Sequence, residues 1–156
     1  MSAVRIVLAL AIGLPGLCAA GNAGAAEQVL ITEREAKLPS LAIEAPRAQR
    51  AITRGPKVLV VSPASGSEVV KSPVKLKLKF ESFGGAKIDT DSIKVVYVKS
   101  PEVDLTKRVK PFIAEDGKGL EMDAARVPPG DHMIKVDLKD SDGRPTSVNF
   151  LLKVVK

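Results

Sequence analysis

The chain has 156 residues, with 24 lysines and arginines, 18 aspartates and glutamates, one histidine, one cysteine, one tyrosine and no tryptophan. This length suits one domain, and an apolar share of 45% is too high for a wholly disordered chain. Because one cysteine and one histidine exclude intramolecular disulfides, structural zinc cages and multi-imidazole sites, we expect a protein that is not an enzyme.

The first 26 residues are typical of a secretory signal peptide. Arg5 precedes the apolar run Ile6–Leu17, and small residues follow it. A membrane-spanning helix needs about 20 apolar residues, and this shorter run contains glycine and proline. We therefore expect cleavage after Ala25 or Ala26, and a mature chain with no transmembrane anchor in the periplasm or outside the cell. That chain has no cysteine, and its 23 basic and 18 acidic residues give a net charge of +5.

Residues 27–56 differ in composition from the rest of the chain. Thr32 and Glu35 have the spacing of a capping box, which predicts the start of a short helix. Prolines then recur without any sustained periodicity, so we interpret the segment as an N-terminal arm or linker, a semi-extended tether. A second interpretation makes it a partner-binding arm whose apolar anchors are Leu38, Leu41, Ile43 and Ile52.

From Lys57 onward, short apolar runs alternate with turn signals, a pattern typical of an all-β sandwich. In residues 73–80, valine, leucine and phenylalanine alternate strictly with lysine, which predicts a strand with one buried face. Residues 108–114 predict a weaker edge strand, because Pro111 cannot donate a ladder hydrogen bond. The other predicted strand regions are 57–61, 92–98, 119–125, 132–138 and 147–155.

These elements define the predicted fold class and domain division. We expect a single immunoglobulin-like β-sandwich of about seven strands at residues 57–156, with no long helix. It follows a signal peptide (1–26) and the short helical or extended N-terminal arm (27–56). Within the polar run 104–110, Asp104 is expected to cap a single helical turn.

Three stretches of the domain resemble bacterial immunoglobulin-like domains: residues 56–81, 127–145 and 147–155. The same stretches are distantly similar to CopC-type periplasmic copper carriers. That family binds copper through an N-terminal histidine with further histidine, aspartate or methionine ligands. The resemblance therefore implies copper as an alternative cofactor, although His132 is the only imidazole here.

Two groups of residues are candidate metal sites. His132 is a candidate ligand or general base, but its position at a strand entry, in step with Ile134, favours a structural corner like the tyrosine corner of sandwiches. The acidic residues are candidate oxygen ligands for calcium, but their spacing fits turns better. These are Asp89, Asp91, Asp137, Asp140 and Asp142.

The excess of positive charge suggests a basic surface on one sheet face, formed by Lys71, Lys75, Lys77 and Lys79. It would attract anionic envelope polymers or phospholipid headgroups, or it is simply the solvated outer face of a sheet. Nucleic acid is not expected as a partner, because stacking platforms need more aromatic residues than this chain has.

The sequence thus predicts a non-enzymatic binding or scaffolding module of the bacterial cell envelope. Its expected partner is an envelope protein or an anionic envelope polymer, and no cofactor is expected. The alternative is a CopC-like periplasmic copper-binding protein.

Overall fold

The computed structural model describes residues 28–41, 55–64 and 69–156. The predicted signal peptide and the predicted anchors Ile43 and Ile52 lie outside the described residues. No helix in the described ranges is long and apolar enough to cross a bilayer.

Two sheets form the described fold. The four-stranded sheet has the spatial order β1 (Gln28–Val29), β7 (Gly119–Arg126), β4 (Val74–Glu81) and β2 (Lys57–Ser62). The five-stranded sheet has the order β3 (Val69–Lys71), β9 (Pro145–Val155), β8 (Gly130–Asp140), β5 (Ile88–Tyr97) and β6 (Val103–Asp104). The predicted all-β sandwich is therefore confirmed, while its immunoglobulin-like label stays a prediction.

The core lies between the two sheets and follows from the alternation along each strand. In β4 the side chains of Val74, Leu76, Leu78 and Phe80 are buried, and the lysines between them face outward. Strands β8 and β9 form a long antiparallel hairpin that contributes Ile134, Val136 and Phe150 to the same core. Period-two apolar patterning therefore sets both the strand faces and the packing of the layers.

One predicted strand is wrong. Instead of an edge strand, residues 108–114 contain the end of helix α2 (Thr106–Val109) and a 3-10 turn at Lys110–Phe112. The predicted helical turn is present, but its N-cap residue is Leu105, which makes no side-chain cap hydrogen bond. Asp104 lies one residue earlier, and its carboxylate accepts a hydrogen bond from the Thr106 amide at 2.8 Å. Pro111 is compatible with the 3-10 turn, and Val109 is fully buried, so the segment packs through one helical face.

The interpretation of the N-terminal segment as a tether is wrong for residues 28–41. Strand β1 pairs in parallel with β7, and the two residues after it, Leu30 and Ile31, are 0% and 1% exposed. Helix α1 (Glu33–Ala36) then begins with the predicted capping box of Thr32 and Glu35. The segment therefore belongs to the packed sandwich, while residues 42–54 lie outside the described part.

This packing predicts a clear difference between two apolar residues of the segment. Ile31→Ala should lower the free energy of unfolding by about 2–5 kcal/mol, because it leaves a cavity in the core. Leu41→Ala, at a side chain that is 43% exposed, should change it by less than about 0.5 kcal/mol. Urea denaturation of the two variants measures the difference. Equal small effects would show that the segment does not contribute to the core.

Candidate functional site

The predicted site residues do not meet in one place. His132 lies near the start of β8 and Asp140 at its end. They are eight positions apart, which in an extended strand is roughly 26 Å. The lysines at 75, 77 and 79 lie on β4, in the other sheet. These side chains therefore form three separate groups, one of them at the end of the sandwich that contains His132.

Both ring nitrogens of His132 bind groups of the same chain. The carbonyl oxygen of Pro128 lies 2.8 Å from Nε2 and can only accept a hydrogen bond, so Nε2 carries the proton. Nδ1 then accepts a hydrogen bond of 2.8 Å from the Tyr97 hydroxyl. Burial lowers the pKa of His132. The hydrogen bond to the Pro128 carbonyl acts in the opposite direction, but the effect of burial is larger. This arrangement is the structural corner that the strand-entry position predicted.

Tyr97 is well suited to donate this hydrogen bond. Its side chain is 0% exposed, and the ring centroids of Tyr97 and His132 are 5.5 Å apart. Burial raises the pKa of Tyr97 to about 12, and the negative charge of Glu35 acts in the same direction. The hydroxyl therefore keeps its proton at neutral pH and donates a hydrogen bond to His132.

An ion pair fastens the N-terminal segment to this end of the sandwich. The two terminal guanidinium nitrogens of Arg108 donate to the two carboxylate oxygens of Glu35, at 2.7 and 2.8 Å. Nη1 of Arg108 also donates to the Leu30 carbonyl at 2.8 Å. The hydrogen bond from Arg108 lowers the pKa of Glu35 from 4.5 to about 2, against the opposing effect of burial. Bidentate geometry of this kind fixes orientation as well as charge.

These residues form one group, which we call the end cluster. It also includes Lys99, whose ammonium lies 5.4 Å from the centroid of the Tyr97 ring. Sequence reasoning found His132 and Glu35 separately but missed the cluster, because Glu35 and Arg108 are 73 positions apart. The capping box was the signal that pointed to Glu35. The members of the end cluster are Glu35, Tyr97, Lys99, Arg108 and His132.

Asp140 organises the turn between β8 and β9. Its side chain is fully buried, and Oδ1 accepts hydrogen bonds from the amides of Asp142 and Arg144 at 3.0 and 2.9 Å. Oδ2 accepts from Nε of Arg144 at 2.8 Å. Burial opposes ionisation of Asp140, but the hydrogen bonds and charge of Arg144 outweigh it and lower the pKa. Gly143, at a φ of +77°, completes the predicted turn.

The other predicted calcium ligands also have partners within the chain. Asp137 accepts from the Ser147 hydroxyl and pairs with Lys135. Asp142 pairs with Arg144 at 2.6 Å. Asp89 accepts from the amide of Asp91, whose own carboxylate lies 3.3 Å from Lys110.

The lysines of β4 form a mixed-charge face. Lys75 pairs with Glu121 and Asp123 of β7, at 3.0 and 2.7 Å. Lys77 also pairs with Glu121, and Lys79 pairs with Glu81. Acidic neighbours thus offset three of the four lysines in the predicted basic surface. Lys71 lies apart from them, on β3 of the other sheet.

The residues present do not fit a copper site at His132. A histidine binds copper through a ring nitrogen lone pair, and here Nε2 carries a proton while Nδ1 accepts from Tyr97. Across residues 28–41, 55–64 and 69–156, no three histidine, cysteine or carboxylate side chains cluster as metal ligands. Copper binding therefore stays an alternative prediction for this chain.

Comparisons with known proteins show only remote likenesses. No protein-family model matches the chain, and no curated protein matches it significantly. The crystal structure of CopC from Methylosinus trichosporium OB3b is similar at a TM-score of 0.42 and 20% identity, covering 63% of this chain and 93% of CopC. An engineered protein reaches 0.42 at 17% identity, covering 65% of this chain and 20% of its own.

A double mutant of the Cellulomonas fimi endo-β-1,4-mannanase reaches a TM-score of 0.37 at 20% identity. That likeness covers 64% of this chain and 18% of the mannanase. The chain thus spans about a fifth of the engineered protein and of the mannanase. With TM-scores below 0.5, none of the three likenesses supports an assignment of function.

The lowered pKa of Glu35 predicts how stability depends on pH. The unfolded state binds this proton more tightly, so the stabilisation is fully present above pH 4.5 and is lost as the pH falls toward 2. Glu35→Gln should remove about 1–3 kcal/mol of that pH dependence, allowing for the partial exposure of Arg108. Glu33→Gln, at an exposed glutamate of the same helix, is the control. Urea denaturation between neutral pH and about pH 3 measures this, and parallel pH profiles for wild type and Glu35→Gln would contradict it.

The His132 geometry predicts separate effects on stability and on copper binding. His132→Leu should lower the free energy of unfolding by about 1–3 kcal/mol, because the buried Tyr97 hydroxyl loses its acceptor. Calorimetric titration with copper(II) should give the same curve for the wild type and the variant. Copper binding tighter than micromolar that disappears in His132→Leu would contradict the assigned hydrogen bonds.

Proposed function

We propose that the protein is a non-enzymatic binding module of the bacterial cell envelope that recognises its partner through the outer face of the five-stranded sheet. The expected location in the periplasm or outside the cell follows from the leader-like sequence of residues 1–26. The observation that carries the proposal is a pair of exposed valines beside two lysines, at the edge of this sheet.

Strands β3 and β9 pair in parallel, with Val69 beside Lys153 and Lys71 beside Val155. Side chains at these positions point away from the core, whereas Val70 and Val154 between them point inward. Val69 is 54% exposed and Val155 is 42% exposed. We call these four residues (Val69, Lys71, Lys153 and Val155) the outer patch. In it, apolar and cationic side chains alternate along both strands.

This alternation favours a partner that presents apolar groups next to negative charge. Covering the two valines removes apolar surface from water, which contributes about 25 cal/mol per Å². The lysines accelerate encounter with a negatively charged surface. Lys71 is the only member of the predicted basic surface that lies in the outer patch, since the other three lysines are paired on β4. An acidic envelope protein or an anionic envelope polymer has the matching chemistry.

The roles of the titratable side chains support a binding module rather than an enzyme. His132, Asp140 and Glu35 each hold a turn, a corner or the N-terminal segment through hydrogen bonds within the chain. These contacts use the groups that would otherwise transfer protons. The exposed groups of the outer patch, an aliphatic carbon surface and ammonium ions, suit recognition.

The proposal predicts a selective loss of binding. With the mature protein immobilised and incubated with envelope extract, Val155→Ser combined with Lys153→Glu should reduce the retained partner at least about tenfold, because it removes apolar contact and reverses a charge. The matched control is Val61→Ser, at a 49% exposed valine of β2 in the other sheet. Retention should also fall at high salt.

Equal retention by the patch variant and the control, or no retained component with the wild type, would contradict the proposal. Protease treatment of the extract distinguishes a protein partner from an anionic polymer. Deletion of the N-terminal segment is not a suitable control, because it removes the core residues Leu30 and Ile31.

A further inference from the structure

Lys99 is a buried cation at the edge of the end cluster. It is only 6% exposed, and its Nζ donates a hydrogen bond of 2.9 Å to the hydroxyl of Ser40. The ammonium also lies 5.4 Å from the centroid of the Tyr97 ring, within range of a cation–π contact. An ammonium has three N–H donors, and the serine hydroxyl satisfies only one of them.

No negative charge compensates this cation within the described residues. No carboxylate of residues 28–41, 55–64 or 69–156 forms an ion pair with Lys99, and its ammonium contacts the Ser40 hydroxyl and the Tyr97 ring. The carboxylate of the end cluster, Glu35, is bound bidentately by Arg108. A buried charge without an opposite charge is costly, so such groups usually pair with an anion.

Ser40 gives this cation an approach from solvent. Ser40 and Lys99 face each other across an isolated antiparallel bridge, and the Ser100 amide binds the Pro39 carbonyl beside it. The serine is exposed, while the lysine beneath it is buried. The Ser40 oxygen accepts a hydrogen bond from Lys99, so the serine O–H can rotate to donate a hydrogen bond toward solvent. A serine O–H at the surface therefore lies next to the N–H groups of the buried lysine.

We propose that Lys99 and Ser40 form a binding site for an oxyanion, either a carboxylate or a phosphate group. The ammonium supplies the opposite charge, and the serine hydroxyl supplies a second donor. The bound anion neutralises the charge of the buried lysine. Because Ser40 belongs to the N-terminal segment and binds both Lys99 and the anion, occupancy of the site should also stabilise the docking of that segment. This site is separate from the outer patch and shares no residue with it.

Tyr97 provides a direct probe, since the chain has one tyrosine and no tryptophan. Intrinsic fluorescence is therefore the emission of the ring that Lys99 contacts. We expect a saturable change on titration with sodium phosphate or sodium acetate, and none with sodium chloride at equal ionic strength. A response to phosphate alone identifies a phosphate ligand, and a response to acetate alone identifies a carboxylate.

Two variants test the site against a matched control. Lys99→Met should abolish the saturable change while the protein stays folded, because it replaces an uncompensated buried charge with an apolar side chain. Ser40→Ala should weaken the anion affinity about tenfold, the loss of one hydrogen bond. Lys94→Met, at an exposed lysine of β5, should bind as the wild type does. No saturable response in the wild type, or the same response in Lys99→Met, would overturn the proposal.

Discussion

The guanidinium of Arg108 is the group on which one whole end of the sandwich depends. It binds both carboxylate oxygens of Glu35 and the carbonyl of Leu30, so one side chain fixes two points of the N-terminal segment. A two-residue strand and a four-residue helix are too short to be stable alone. They persist because Leu30 and Ile31 fill the core and Arg108 fixes their orientation.

The charge of Glu35 also acts on the sheet, where it contributes to the raised pKa of Tyr97. The Tyr97 hydroxyl binds His132, and its ring contacts the ammonium of Lys99. His132 pairs in register with Leu152, and Asp131 with Lys153, so the corner lies directly behind the outer patch. The segment, the corner and the proposed recognition surface therefore share one end of the molecule. A rigid corner behind an exposed patch reduces the conformational entropy lost when a partner binds.

Local patterns predicted most of the sheet. The alternation in residues 73–80 correctly predicted β4, and the runs at 132–138 and 147–155 correctly predicted β8 and β9. A strand with one buried face requires an apolar residue at every second position. The capping box of Thr32 and Glu35 was also predicted, since it depends on neighbours three positions apart. Where the alternation was weak, as in residues 108–114, burial of Val109 on a helical turn prevailed over β propensity.

The parts that sequence patterns missed depend on distant partners. The interpretation of the segment as a tether missed the burial of Leu30 and Ile31. Two neighbouring apolar residues show no periodicity, and the strands that they pack against are distant in the sequence. The predicted basic surface combined Lys71 with three lysines of β4, and most of the acidic residues that offset those three lie on β7. His132 was placed correctly at a corner, but its partner Tyr97, 35 positions away, could not be named from the sequence.

Amide hydrogen exchange at Leu30 tests the central claim most directly. The Leu30 amide donates to the Arg126 carbonyl at 3.0 Å, and it opens only if the N-terminal segment detaches or the domain unfolds. If the segment is part of the core, its protection factor should lie within about tenfold of that of the Ile134 amide in β8. Exchange at Leu30 more than about a thousandfold faster than at Ile134 would show that the segment detaches on its own, and would contradict this account.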